Sequence, residues 1–251
     1  MLEIKNFSKI YGGKFKAVDN LSIEVKNGEI YGFIGHNGAG KSTTIKAVVG
    51  ALAFEEGEIL IGGKSIKKDP VEAKKLIAYI PDNPDIYDFM TGIQYLNFVG
   101  DVFGVSDEDR NARIKKYADT FEIAKNLGDP IASYSHGMCQ KLVIISALLH
   151  APKLLVMDEP FVGLDPVAAF RLKEIMRELC NEGCAVFFST HVLEVAEKLC
   201  DRVGIIKGGK LVVEGDMKDI VGDTSLENIF LELQGENVNR TDDSAKDEIN
   251  G

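Results

Sequence analysis

The nine residues "GHNGAGKST", Gly35 to Thr43, constrain this chain more than any other stretch. An apolar run, "EIYGFIG", leads into them, and a helical segment, Thr43 to Leu52, is expected to follow. The pattern is G-x-x-x-x-G-K-[ST] between a strand and a helix. Its glycines let the backbone curl without side-chain clash. Successive N–H groups then point inward, and the positive end of the helix dipole adds to them, which makes a cradle for phosphate. Gly35, His36, Asn37, Gly38, Ala39 and Gly40 form the loop, with His36 and Asn37 read as solvent-facing positions. Lys41 can reach the β- and γ-phosphates of a nucleotide, Ser42 can set its hydroxyl on Mg²⁺, and Thr43 can hydrogen-bond near the α-phosphate.

A second set of acids and a histidine fits the same ligand. "LLVMDEP" is a buried apolar strand that ends in Asp158 and Glu159. Ligands of open α/β sheets bind at the carboxyl ends of the strands. There Asp158 can hold Mg²⁺ through its water shell, and Glu159 can act as general base on a water aimed at the γ-phosphate. The bland alternative, that both acids only cap the next helix, is weakened by Pro160 and by the loop upstream. "FFSTH" leaves another apolar run at His191. If its strand joins the same sheet, His191 can donate to the γ-phosphate and orient the attacking water.

The rest of the chain frames these pieces. The first part is strand-like, with Gly12-Gly13 and Asn27-Gly28 as turns; Asn27-Gly28 predicts a hairpin joining Leu21–Val25 to Ile30–Ile34. "GEILIGG" reads as a strand. From Pro84 to His150 no strand run is evident, and "GIQYLNFVGDVFGV" and "DEDRNARIKKYADTFEI" carry helical periodicity, which predicts a helical insertion. "KLLVMDEP" and "CAVFFST" read as buried parallel strands with a helix, Pro166 to Asn181, between them. "RVGIIKGGKLVVEG" reads as a hairpin on a Gly-Gly turn. From Gly235 the chain lacks large apolar side chains and is expected to be a disordered tail. "KSIKKDPVEAKK", Lys64 to Lys75, reads as a solvated loop and helix face, with contact to an anionic membrane surface as the alternative.

Charge and cysteine usage narrow the function classes. The formal net charge of -10 argues against nucleic acid as a partner, because phosphate neutralisation needs a basic face. The four cysteines, Cys139, Cys180, Cys184 and Cys200, form no C-x-x-C pair, and Cys180 with Cys184 reads as a helix-end pair of small apolar side chains rather than a metal half-site. The opening "MLEIKNFSKIYGG" has no apolar signal core, and no run approaches the roughly 18 apolar residues of a membrane span. A membrane role would therefore come through a partner.

Four pieces stand in a fixed order: "GHNGAGKST", "YSHGMCQKL", "LLVMDEP" followed by "GLDP", and "STH". Together they resemble the ATP-binding cassette, the ATPase module of ABC transporters, over about Leu2 to Leu233. The resemblance implies an α/β fold: a P-loop NTPase (RecA-like) core with an N-terminal antiparallel β subdomain and an inserted helical subdomain. It implies one domain over 1–234, with the core in 1–83 and 151–234 and the insertion at about 84–150. It also implies that Ser135 and Gly137 belong to a signature motif, which binds the γ-phosphate of ATP held by a second cassette in a head-to-tail dimer. The local chemistry agrees, since Ser135 is a good helix N-cap and the Gly137 N–H would lie in the first turn. By the same resemblance Asp165 belongs to a D-loop crossing that interface, Tyr11 stacks on adenine with Val18 packed beside it, and Asp82 stands at a position that touches Mg²⁺ or the water. The chain departs from the family twice: Asp82 replaces the usual glutamine, and His136 replaces a common glycine.

The implied protein is an ATP-hydrolysing subunit at the cytoplasmic face of the cell membrane. It would work with transmembrane permease subunits on separate chains and with a second ABC subunit. The ending "GDTSLENIFLEL" resembles cassettes of exporters whose permeases are separate. A soluble cassette acting on ribosomes or DNA is the main alternative, but such proteins carry two cassettes or a long coiled coil, and no sustained heptads occur here. A P-loop kinase would leave "YSHGM", "GLDP" and "STH" unexplained.

Overall fold

The parallel strands dictate the architecture. In a computed structural model, which describes residues 1–234, a six-stranded sheet runs β10-β9-β3-β8-β7-β6. Its members are β3 (Ile30–Ile34), β6 (Ile77–Ile80), β7 (Leu154–Asp158), β8 (Ala185–Thr190), β9 (Arg202–Lys207) and β10 (Lys210–Asp216). All neighbours are parallel except the β9–β10 hairpin, which turns on Gly208-Gly209 as expected. Every residue of β3, β7 and β8 is buried, as a sheet covered on both faces requires.

Alternation along these strands splits the apolar core in two. Tyr31, Phe33, Val156 and Phe187 face a layer made by α1 (Lys41–Val48) and the second sheet. Ile34, Leu155, Met157, Val186 and Phe188 face a helical layer that includes α5 (His136–Leu148), α6 (Pro166–Asn181) and α7 (Leu193–Leu199). The second sheet is antiparallel, in the order β2-β1-β4-β5, from β1 (Leu2–Tyr11), β2 (Phe15–Val25), β4 (Glu56–Ile61) and β5 (Lys64–Ser65).

One sequence expectation fails here. Asn27-Gly28 does not close a hairpin: β2 pairs with β1, whereas β3 pairs in parallel with β8 and β9. Gly28 has the positive φ of a tight turn (76°), but the turn carries the chain from one sheet to the other. The reason lies in β3 itself. A strand buried on both faces belongs at the centre of the larger sheet, and turn chemistry alone does not choose the sheet. The helix after the phosphate loop is also displaced, spanning Lys41–Val48 before Gly50 turns with φ 68°.

Between β6 and β7 the described residues carry helices and one isolated bridge, Thr91 to Pro130. α3 (Gly92–Val102) starts on a capping box between Thr91 and Gln94. α4 (Asp107–Thr120) starts on Ser106, with Asp107, Glu108 and Asp109 at the positive end of its dipole. The short α2 (Pro70–Lys74) falls in the basic stretch, where Lys67 and Lys74 donate to the carbonyls of Glu55, Gly57 and Gly50. α8 (Met217–Val221) and α9 (Leu226–Gln234) complete the described residues. The tail expected from Gly235 onward lies outside them. No helix among the described residues is long and apolar enough to cross a membrane.

Candidate functional site

Because β3, β6, β7 and β8 run parallel, their carboxyl ends share one edge of the sheet. That edge receives the loop after β3, Asp82 after β6, Asp158 and Glu159 after β7, and His191 after β8. The loop Gly35–Gly40 is shaped by three glycines for different reasons. A Cβ on Gly35 would meet the Ile206 carbonyl at 2.6 Å, and one on Gly40 (φ 111°) would meet the Ala17 carbonyl at 2.7 Å. Gly38 (φ 81°) has the left-handed backbone but nothing within 4 Å of its Cβ direction, so it faces open space. The turn behind the loop is tied in by the Gly209 N–H, which donates to the Ala39 carbonyl at 3.0 Å.

Helix α1 begins at Lys41, so the N–H groups of Lys41, Ser42 and Thr43 have no partner within the helix. No acid sits in that first turn to neutralise its dipole. The Lys41 ammonium is buried, donates to the Gly35 carbonyl at 2.6 Å, and lies 3.5 Å from Glu159 Oε1. Glu159 in turn places Oε2 at 3.0 Å from His191 Nδ1. Glu159 also has a left-handed backbone (φ 48°), uncommon for a residue with a side chain.

What holds Glu159 there is Ser189, which sequence reasoning missed. Its buried hydroxyl accepts from the Glu159 N–H at 3.1 Å and donates to Asp158 Oδ1. Asp158 is directly opposite Ser189 in the β7–β8 register. The available signal was a single serine inside an apolar strand, but its partner depends on register. Asp158 is fully buried and its Oδ2 has no hydrogen-bond partner. A buried carboxylate oxygen left unpaired is costly, and an oxygen-seeking cation would satisfy it. Together with the hydroxyl of Ser42 and the carboxylate of Asp82, this is the all-oxygen donor chemistry that Mg²⁺ favours.

A cavity of about 400 Å³ opens over the loop. Tyr11, His36, Asn37, Gly38, Gly40, Lys41, Ser42, Thr43, Asp82 and Glu159 line it, with Phe15 and Ala17. Tyr11 and Phe15 face each other across the β1–β2 turn and both are exposed. Val18, expected beside Tyr11, is instead fully buried beneath Gly40 and does not reach the cavity; Phe15 and Ala17 take that wall. Asp82 is exposed, and its Oδ1 accepts from the Asn83 N–H at 3.0 Å. Burial and the charges of Asp158 and Asp82 push the Tyr79 hydroxyl well above its usual range.

Ser135, Gly137 and Asp165 do not line this cavity. Ser135 caps α5, accepting from the Met138 N–H at 3.3 Å, and is exposed. Asp165 caps α6, accepting from the Ala168 N–H at 2.8 Å, and pairs with Lys141 of α5 at 2.7 Å. The Lys141 ammonium holds the Asp165 carboxyl below the usual carboxylate range. Cys180 and Cys184 are both buried, which pushes their thiols up to about 12 and about 11.

Comparison with known proteins agrees with this geometry. The family model described as ABC transporter matches residues 18–162, and a shorter match to an AAA domain covers 128–197. LnrL, the linearmycin resistance ATP-binding protein of Bacillus subtilis (strain 168), is 35% identical over 231 residues, 90% of this chain and 74% of LnrL. EcsA, an ABC-type transporter ATP-binding protein of the same organism, is 34% identical over 243 residues, 95% of this chain and 98% of EcsA. The solved structure of an ATP binding subunit of an ABC transporter matches with a TM-score of 0.89 at 34% identity, covering 93% of this chain and 99% of that one. The dimeric cassette MJ0796 bound to ADP and Pi shares the fold, with a TM-score of 0.77 at 23% identity over 86% of this chain and 99% of its own. By these matches this chain belongs to the ABC transporter family, as an ATP-binding subunit.

Proposed function

We propose that this chain hydrolyses ATP to drive a membrane transporter of the export type, working in a head-to-tail pair. The observation that carries the reading is the convergence of Lys41 and His191 on the Glu159 carboxylate, at 3.5 Å and 3.0 Å, at one strand edge. LnrL, named for linearmycin resistance, is in keeping with outward transport.

The mechanism follows from the residues. The triphosphate lies over Gly35–Gly40, with the first-turn N–H groups of α1 donating to it. Lys41 exchanges the Gly35 carbonyl and its attraction to Glu159 for the β- and γ-phosphates. Glu159 then acts as base: it takes a proton from water as the water oxygen bonds to the γ-phosphorus and the bond to the β–γ bridging oxygen breaks. His191, held through Nδ1 against Glu159, keeps Nε2 for the γ-phosphate. Tyr11, with Phe15 opposite, offers an aromatic face to adenine. Ser42, Asp158 and Asp82 would hold Mg²⁺, which would supply positive charge against the charge that develops on the phosphates.

The same chain leaves Ser135 exposed and Gly137 half-buried at the positive end of α5, and neither lines the cavity over the phosphate loop. A second copy, or a related ABC subunit, supplies that ligand, and Asp165 lies at the shared interface. A permease on a separate chain docks in the groove of about 370 Å³ between the core and the helical layer, lined by Val49, Tyr79, Tyr95, Val99, Phe103 and His150. The exposed aromatics Phe89 and Phe98 cluster on Tyr87, whose ring lies 6.5 Å from that of Tyr95 in the groove wall. This docking puts the chain on the cytoplasmic face of the membrane. Phosphate release by the purified chain tests the enzymatic part. Mg²⁺-dependent release that Glu159→Gln removes supports it, and release that survives the substitution rejects it.

A further inference from the structure

The signature turn and the D-loop of one chain interlock through three close contacts. A Cβ on Gly163 (φ 79°) would come within 2.5 Å of His136 Cδ2 and 2.8 Å of Nε2, so the imidazole lies over Gly163. A Cβ on Gly137 would come within 2.9 Å of the Gly163 carbonyl. One helical turn beyond Gly137, Lys141 reaches Asp165 at 2.7 Å. Residues i and i+4 share a helix face, so Gly137 and Lys141 present one side of α5 to Gly163 and Asp165. His136 is a bulky ring at a place where a glycine would leave Gly163 uncovered.

We propose that His136 is a positioning residue: it latches the D-loop to the signature turn of its own chain, so that the two segments reach the second copy as one unit. The latch itself is a property of the single chain; its effect on pairing rests on the shared-site reading above. Fixing both segments in advance removes part of the ordering entropy that pairing would otherwise cost. A glycine at 136 would remove the ring over Gly163 and leave only the Gly137–Gly163 backbone contact and the Lys141–Asp165 pair to join the two segments. That pair is partly exposed and worth little by itself.

Two measurements test this separately. The first is amide hydrogen exchange of Val162 to Asp165 in the nucleotide-free chain. H136G should speed exchange there by roughly tenfold, and H136F, which keeps a flat ring over Gly163, should restore protection. Unchanged exchange in H136G, with the same melting temperature, overturns the latch whether or not the chain pairs. The second is the ATP concentration that half-dimerises the Glu159→Gln chain. H136G should raise it severalfold, while fluorescent-nucleotide binding to the dilute chain changes less than about twofold. G163A drives its methyl group into the imidazole, so H136G/G163A should pair at lower ATP than G163A alone. Strictly multiplicative effects of the two substitutions overturn the contact's role in pairing. A Glu159→Gln chain that stays monomeric at saturating ATP rejects the shared site instead, and the exchange result still decides the latch.

Discussion

His191 Nδ1 lies 3.0 Å from Glu159 Oε2, although thirty-one residues of chain separate the ends of β7 and β8 that present them. The contact fixes the carboxylate from one side while Lys41 attracts it from the other at 3.5 Å. His191→Ala frees the carboxylate and removes the donor meant for the γ-phosphate. Turnover should fall by about a hundredfold, with nucleotide affinity nearly unchanged. Steady-state phosphate release and a nucleotide titration, run together, check the split.

Glu159→Gln keeps the shape of the side chain but removes the base. Hydrolysis should drop by about a hundredfold or more, and ATP should hold the chain in a stable dimer on size exclusion. Lys41→Ala acts earlier. It removes the one ammonium buried in the loop, so ATP should neither bind measurably nor be split. Full hydrolysis by Lys41→Ala would remove the loop from the account.

Ser189→Ala strips two groups of their partner at once, the Glu159 N–H and Asp158 Oδ1. A buried polar group left unpaired costs about 1–3 kcal/mol. The left-handed Glu159 also loses its anchor. The melting temperature and turnover should both fall, and turnover should fall further than the loss of folded chain explains. Circular dichroism melts beside the rate measurement distinguish the two effects.

His150 joins the helical layer to the core: its Nε2 donates to the Ile77 carbonyl at 3.0 Å and its ring stacks on Phe103 at 3.8 Å. Burial lowers its pKa, with the Ile77 carbonyl opposing and the Arg113 charge adding to the shift. The folded chain therefore binds fewer protons here than the unfolded chain, whose histidine titrates near 6.5. By linkage, this contribution to stability is present above about pH 6.5 and lost as pH falls toward the folded value. The melting temperature should fall between pH 7.5 and pH 5.5, and H150F, which keeps the stack, should flatten part of that slope.

Much of this was legible in the sequence where local pattern and tertiary role coincide. Gly35 to Ser42 announce a phosphate cradle, and the apolar runs ending at Asp158 and His191 announce covered parallel strands, because burial on both faces leaves its mark on every residue. The Pro166–Asn181 helix was legible as the link between two buried parallel strands, and the structure caps it with Asp165. The Asn27-Gly28 turn was not, since a hairpin and a crossover between sheets use the same backbone. Ser189 depends on the register of β7 against β8. The burial of Val18, with Phe15 left at the cavity, depends on how β2 bulges against β1. The contact of His136 with Gly163 joins two loops that no periodicity relates.

The account rests on a site completed by a second chain, and the dependence of turnover on chain concentration tests it most directly. ATP hydrolysis per chain should fall toward zero as the protein is diluted below its pairing range, and Ser135→Arg should stay inactive at every concentration while still binding ATP. Constant turnover per chain, down to concentrations at which sedimentation shows only monomer, would contradict it.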